Sequence, residues 1–596
     1  MQTLDQKGWA AFKAQALAFA VHRQQSEAAK ARGDTEQCLH HARAAAALKP
    51  EHVSSQFRLA QALHARGHTE EAQGRLRALL QKHPRFWQAR WLLTHIAVGV
   101  DDYAEAAQQT EAAMVDMPRG NELWPNLASL QWQAGDFEAA ETSLVKAQTQ
   151  GADPASVAVL QTRIAMAKGE WETAKALVLN ALDAHPQASA LRACAVESLL
   201  KMGELDAAGQ YLFERVPPEP AEQLQWCRLK ALLFAARYAV DGAVKTLQSL
   251  PPSVQIHTNV GPLLVRFYFM QGAIQKGLDL HFAIDDGLVR QGQHAERRRL
   301  KHGFIGGLAT ELGSNQSAVD ALAHWRKQCD EGLEKREQRR GLEAIVQAYP
   351  RYLGLGMIWL NQLRQTEGFR WSSGGKSSTR AIALRIVQFW DSPAIPEDIQ
   401  SCMQSWVKHH PHAFYECFND ETAQAFLRRH APLRVRQAFR EARHPAMRAD
   451  LFRIAYLVVQ GGIYADSDDV ARCPTDHLLE GGEQLVLLQE DLGTIGNNWI
   501  AAVPQHPWLI ALRDHLVEQV LARQGGNVWF TTGPAAVTHH FTQFYGESLR
   551  AGGIPEGCRI VTAYELSKSV AMHLPRRYKS TAKHWVSAQN QLKKIL

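Results

Sequence analysis

The stretch His444-Pro-Ala-Met-Arg-Ala-Asp-Leu-Phe-Arg-Ile-Ala-Tyr-Leu-Val-Val-Gln-Gly-Gly-Ile-Tyr-Ala-Asp-Ser-Asp-Asp469 decides the fold of the C-terminal third. Pro445 suits the first turn of a helix, where its missing N–H leaves no bond unmade. Apolar residues then recur at helical spacing up to Gln460, so an amphipathic helix is predicted. Asp450 and Arg453 stand three apart and share one face of it. Gly461 and Gly462 end the helix and turn the chain. Ile463-Tyr464-Ala465 opens a buried strand, whose alternation aims Asp466 and Asp468 together and Asp469 elsewhere. Two convergent carboxylates at a strand end suit a hard divalent cation.

Working outward, Ile382–Trp390 is a compact apolar run closed by Asp391-Ser-Pro, a strand and its turn. A helical pattern runs through Trp406, and Cys417–Asn419 closes a second short strand. Alternating strands and helices predict an α/β domain on a mainly parallel sheet. Such sheets bind ligands beyond the carboxyl ends of their strands. Glu490 and Asp491, after the apolar run Leu485–Leu488, are placed either to orient an acceptor hydroxyl or to end a surface strand.

The first half has a different texture. Gly33, Gly67, Asp101, Gly135, Gly169 and Gly203 recur at a constant step of 34 residues, with Cys38, Ala72, Ala106, Ala140, Ala174 and Ala208 five positions later. Pro50, Pro84, Pro118, Pro186 and Pro220 mark a second phase, Ala152 being the exception. Each unit reads as a helical hairpin. Glycine supplies the positive φ that closes the first helix, alanine lets the helices approach, and proline separates one unit from the next. The pattern resembles a tetratricopeptide repeat array over Gly33–Asp286, with Gly242 and Gly272 near the positions of degenerate last units. Such arrays expose a concave surface suited to a protein partner or to self-association.

From Leu288 to Glu367 the pattern stays helical without the period, and Trp371–Thr379 is a polar Gly/Ser run that reads as a linker. Gly374-Gly-Lys-Ser377 lacks the spacing of a phosphate loop. The expected division is a repeat solenoid over 1–287, a helical connector and linker over 288–379, and an α/β domain over 380–596.

The chain carries 66 basic and 60 acidic residues for a net charge of +6, with 46% hydrophobic content. This is a globular composition without the basic stripe of a nucleic-acid binder. Cys38, Cys194, Cys227, Cys329, Cys402, Cys417, Cys473 and Cys558 form no CxxC pair and are expected as reduced thiols in a cytoplasmic protein. Neither a signal peptide nor a membrane-spanning run is expected. Peripheral attachment at the inner face of a membrane fits the same reading.

At Arg448, Asp450, Arg453, Gly461, Gly462, Ile463, Tyr464, Asp466 and Asp468 the chain resembles the sugar-binding region of glycosyltransferase family 32. Val387–Trp390, Asn497–Ala501 with His506-Pro507, and Thr532-Gly-Pro534 resemble its other blocks, in order. The resemblance implies a GT-A-type fold for residues 380–596 and a retaining transferase that takes a UDP- or GDP-sugar with Mn²⁺ or Mg²⁺. The acceptor is a polysaccharide, glycolipid or protein, which the repeat array recruits. It implies Asp466 and Asp468 as metal ligands, and Asp450 and Arg453 on the donor sugar and phosphate. Trp390 would stack on the base, with Gly461, Gly462, Tyr464 and Asn498 also on the donor side. A late His and Trp, His573 and Trp585, would complete the metal–diphosphate region, with His584 as rival to His573. Two other readings stand beside it: a scaffold with an inactive transferase domain, and a phosphotransferase using Asp466, from the superficial DxDx[TV] match through Val470.

Overall fold

The computed structural model describes residues 6–580 except 217–219, 258, 292, 294–295, 298–299, 302–303, 351, 353, 366–379, 523–526 and 552. The Gly/Ser run, Trp585 and His584 therefore lie outside the described residues. The chain forms two compact units: residues 1–160 with 284–301, and residues 161–283 with 302–596.

The first unit is a stack of helical hairpins, among them Val53–Ala65 with Thr69–Lys82 and Trp87–Gly99 with Tyr103–Met114. Gly33, Gly67, Asp101 and Gly135 all adopt left-handed φ between the paired helices. The periodic Ala72, Ala106 and Ala140 are fully buried, so no larger side chain separates the two helices at that point. Leu59, Leu63, Leu76, Leu93 and Ile96 fill the space between successive hairpins.

The second unit keeps the hairpins and adds the α/β part. Gly169 and Gly203 hold the same left-handed conformation, and the left-handed marks continue at Tyr238, one residue beyond the 34-residue step, and at Gly272. Tyr238 thus takes the next mark. Gly242 lies inside the helix Val240–Gln248 and is not a repeat mark.

The α/β part contains β1 (Arg385–Phe389), β2 (Phe414–Phe418), β3 (Gly462–Ala465), β4 (Val470–Ala471), β5 (Leu485–Gln489), β6 (Ile495–Ala502), β7 (Cys558–Thr562) and β8 (Val570–Ala571). Six strands form one sheet in the order β2-β1-β3-β6-β5-β7, and β4 pairs with β8 separately. β6 alone runs antiparallel to its neighbours β3 and β5; the other five strands point one way, so the sheet is mainly parallel, as expected, with one reversed strand. The long β6 carries Asn497 and Asn498 toward the same edge at which β1 and β3 end. The helix Pro445–Gln460 is not amphipathic: Met447 and every residue from Asp450 to Val458 are buried. It packs against β1, β3 and β6 and against neighbouring helices, so no side of its central turns meets water.

The units do not divide where the repeat period ends. Helices from residue 161 onward bury side chains against the α/β part: Met166, Trp171, Ala174 and Met202 share a core with Cys402, Val470 and Leu574. The helix Gly354–Arg364, expected as connector, is buried along nearly its whole length. Its Asn361 amide donates to Leu492 O at 3.0 Å and its Arg364 guanidinium to Gln489 Oε1 at 2.8 Å.

Gly461 and Gly462 have φ of +64° and +100°. A Cβ on Gly462 would stand 2.5 Å from Arg385 O, and one on Gly461 would stand 2.7 Å from the Pro504 ring. The backbone is strained for any other residue and the space is taken by backbone atoms. Gly462→Ala is expected to destabilise the second unit by more than about 1 kcal/mol, read as a lowered midpoint of thermal unfolding. A midpoint equal to the parent's would refute the close approach to β1.

Candidate functional site

The ends of β1 and β3 open onto a cavity of about 810 Å³ that lies within the second unit. Its floor is built around Arg453. This guanidinium is 4% exposed and stands 3.2 Å from Asp450 Oδ1 and 3.1 Å from Asp466 Oδ1. It also donates to Asn497 O and lies 4.4 Å above the ring of Tyr464. Burial opposes its charge, but Asp466, Tyr464 and Asp450 outweigh that and keep it protonated. Asp450 accepts from Asn497 Nδ2 at 2.9 Å and from the Thr532 hydroxyl at 2.6 Å. Its carboxyl is nonetheless raised by burial.

β3 ends at Ala465, and Asp466–Asp469 is a turn closed by Asp469 N–H donating to Asp466 O at 3.1 Å. Strand alternation therefore does not govern these residues. Asp469, predicted to point elsewhere, lines the same cavity as Asp466 and Asp468. The turn is held from four sides. Asp466 N–H donates to Asn498 O at 2.8 Å and Gln388 Nε2 to Asp466 O at 3.1 Å. The Ser467 hydroxyl donates to Phe389 O at 3.0 Å and Trp406 Nε1 to Asp469 O at 3.0 Å.

The three carboxyls differ in charge. Burial pushes Asp466 up to about 6, against the pull of Arg453. Burial, with Asp468 and Asp466 nearby, raises Asp469 well above the carboxylate range. Burial would raise Asp468 as well, but Lys579 Nζ at 2.7 Å and the Tyr578 hydroxyl at 2.9 Å hold it well below. Tyr578 and Lys579 carried no motif in the sequence. Only the return of the chain after β8 brings them here.

Hard oxygen donors of this kind fit a divalent cation. The contacts of Asp466 fall on Oδ1 and those of Asp468 on Oδ2. The buried Asn498 Oδ1 has no partner among the described residues. No three His, Cys, Asp or Glu side chains among the described residues form a ready-made metal cage. A cation that keeps waters and takes phosphate oxygens from a donor does not need one. His573 lines the cavity but joins no such cluster, so it is not assembled as a third ligand with Asp466 and Asp468. Burial and Lys579 lower its ring pKa.

Trp390 and Tyr464 line the cavity, Trp390 meeting Tyr578 edge-on at 5.2 Å. Tyr464 also donates to Asp466 Oδ1 at 3.1 Å, so it holds the turn as well as forming the wall. Asn498 lines the cavity and donates to Asp469 Oδ2 at 3.1 Å. Gly461 and Gly462 do not line it: they sit at the opposite end of β3 and serve the turn. Arg448 is also outside, paired with Asp420 at 2.8 Å.

Residues 396–484 match the family described as a glycosyltransferase sugar-binding region containing a DXD motif. This part of the chain is a DXD glycosyltransferase domain. The transferase domain is 30% identical over 149 residues to the mannosyl phosphorylinositol ceramide synthase CSH1 of Saccharomyces cerevisiae, covering 25% of this chain and 39% of that one. It is 27% identical over 169 residues to the inositol phosphoceramide mannosyltransferase 2 of Schizosaccharomyces pombe, covering 27% and 47%. The chain thus spans less than half the length of these curated relatives. Among solved structures, a tetratricopeptide repeat protein from Parabacteroides merdae aligns over 40% of this chain and 96% of its own at 13% identity and a TM-score of 0.33. The PaToxG glycosyltransferase aligns over 43% and 96% at 15% identity and 0.23. At those scores the likeness carries no argument.

Arg453→Met leaves Asp450 buried without its cation and should destabilise the domain by about 3–5 kcal/mol. Asp450→Asn in the same background is expected to recover part of that loss, and strictly additive losses in thermal unfolding would refute the coupling. Glu490, also in the cavity wall, is pushed up to about 7 by burial. A carboxyl raised in the folded state contributes stability that is whole below its unfolded pKa, about 4.5, and is lost as pH rises through 7. Glu490→Gln should therefore gain stability over the parent at pH 8 and not at pH 4.5, and a pH-independent difference would count against the burial.

Proposed function

We propose that the chain is a metal-dependent, retaining glycosyltransferase that moves a hexosyl group from a UDP- or GDP-sugar to a saccharide, glycolipid or protein acceptor. One observation carries the reading: a single buried guanidinium joins Asp450 to Asp466, and so sets the DXD turn beside Trp390 in one cavity.

In this reading Asp466 and Asp468 would hold Mn²⁺ or Mg²⁺, which supplies Lewis-acid stabilisation of charge on the departing diphosphate. Arg453 faces the donor with a charge that cannot be lost, and its planar fork suits phosphate. Trp390 offers an aromatic face for the base. Asp450 has both oxygens engaged by Asn497, Thr532 and Arg453, which suits holding a sugar hydroxyl rather than attacking carbon. That supports a front-face path. The acceptor oxygen bonds the anomeric carbon as the bond to the diphosphate breaks on the same side, and the acceptor proton passes to a phosphate oxygen.

The relatives are named for mannosyl transfer to inositol phosphoceramide. This favours a mannosyl donor and a glycolipid acceptor as the first to test. No disulfide joins the eight cysteines among the described residues, and a reducing compartment such as the cytoplasm belongs to this reading. A glycolipid acceptor accords with peripheral attachment to a membrane. No helix among the described residues is long and apolar enough to cross one.

The second reading, a repeat scaffold with an inactive domain, is favoured by Lys579, an ammonium already on Asp468. A screen of GDP-mannose and UDP-sugars by thermal shift with Mn²⁺ separates the two. A donor present at about 100 times its Kd should stabilise the domain by about 2.7 kcal/mol, and Asp468→Asn should abolish the Mn²⁺-dependent part of the shift. No shift with any donor would leave the scaffold reading standing.

A further inference from the structure

The floor of the cavity is acidic, but one wall is not. The helices Trp171–Ala184, Ser189–Lys201, Pro220–Ala236 and Gly261–Gln271 belong to the repeat region, and they place Trp171, Glu197, Lys201, Arg228 and Arg266 on the cavity. These helices are fixed against the transferase domain by backbone-close contacts. A Cβ on Gly203 would meet Tyr564 O at 2.1 Å, and one on Gly169 would meet Val470 Cγ1 at 2.9 Å. Gly33, at the same mark of an earlier repeat, has nothing within 4 Å. The same periodic glycine therefore does a second task in these two repeats, where it admits the Tyr564 backbone at Gly203 and the Val470 side chain at Gly169. Arg576 donates to Ala167 O at 2.7 Å, and Arg266 pairs with Asp491 at 2.8 Å across the same junction.

The charges on this wall are unbalanced. Glu197 is shared: Arg228 donates to its Oε1 at 3.2 Å, Gln225 to the same oxygen at 3.1 Å, and Arg163 stands 3.7 Å from Oε2. Lys201, one turn further along the same helix, makes no ion pair or hydrogen bond among the described residues. Its side chain is exposed, so the ammonium lies on the cavity as a solvated cation without a counter-ion, and such a cation draws anions toward this wall. On the floor the carboxylates of Asp450, Asp466 and Asp468 are already met by Arg453 or Lys579, whereas the wall offers an unpaired cation. A substrate with an anionic group at one end and a hydroxyl at the other is held by its anion at the wall, which leaves the hydroxyl for the floor.

We propose that the repeat wall is the acceptor subsite, and that Lys201 and Arg228 select an acceptor carrying a phosphate or carboxylate beside the hydroxyl to be glycosylated. The proposal rests on the transferase reading above, and it gives the last repeats a part in substrate choice in addition to any partner binding.

The test uses the whole chain with Mn²⁺ and GDP, titrated calorimetrically with glucose 6-phosphate, glucuronic acid and neutral glucose. At least one anionic probe is expected to bind 10-fold or more tightly than glucose. A preference for glucose 6-phosphate marks a phosphate-bearing acceptor, and a preference for glucuronic acid an acidic sugar. The double variant Lys201→Ala with Arg228→Ala should bring the anionic probe to the affinity of glucose, while Lys201→Arg should keep the preference and control for folding. Equal affinity of charged and neutral probes, no probe binding, or a preference that survives the double variant overturns the proposal. If Mn²⁺-dependent donor binding persists in any of those cases, only the subsite falls. If no donor binds the parent chain, the transferase reading falls first.

Discussion

Arg453 is the one charge the transferase domain is arranged around. A guanidinium removed from water is costly unless its donors are met and its charge is answered. Here the helix Pro445–Gln460 supplies Asp450, the turn after β3 supplies Asp466, and β6 supplies Asn497 O. Three separate elements, the helix, the turn and β6, are thereby held in register by a single side chain. Thr532 and Asn497 then complete Asp450, and Tyr464 completes both Arg453 and Asp466. What looks like a ligand set is also the structural joint. The residues most suited to hold a sugar phosphate are the ones already fixed before it arrives, which is what a preorganised site requires.

The charge pattern extends from that joint. The three carboxyls of the turn lie close enough that each changes the others: Asp468 stays ionised beside Lys579, while Asp466 and Asp469 are pushed up. Burial sets the direction for all three, and the position of one lysine decides which departs from it. The repeat helices add the opposite sign on the facing wall. One cavity therefore carries carboxyls on the side of the DXD turn and cations on the side of the repeat helices.

Much of this was legible along the chain, and the failures are physical. The repeat marks were readable because φ > 0 needs glycine or a tolerant substitute, and each of the six does adopt it. The helix, the double glycine and the strand at His444–Asp469 were readable from spacing. The prediction for Asp469 failed because alternation applies only inside a strand, and β3 stops at Ala465. The helix was expected to be amphipathic because Asp450 and Arg453 look like a polar face, whereas they are an internal ion pair. The family resemblance placed Gly461 and Gly462 on the donor side, although they stand at the start of β3 and the cavity lies at its other end.

The sequence alone determined which residue types were available and their local order: a 34-residue period, a turn that only glycine allows, and an Asp-x-Asp after a short apolar strand. These depend on interactions a few residues apart, so spacing is enough to read them. Tertiary structure decided what faces what. It brought Tyr578 and Lys579 to Asp468, set Arg453 between two carboxylates, and made the last repeats a wall of the transferase cavity. Those outcomes depend on burial and on how separate elements pack against one another, for which a linear spacing holds no record.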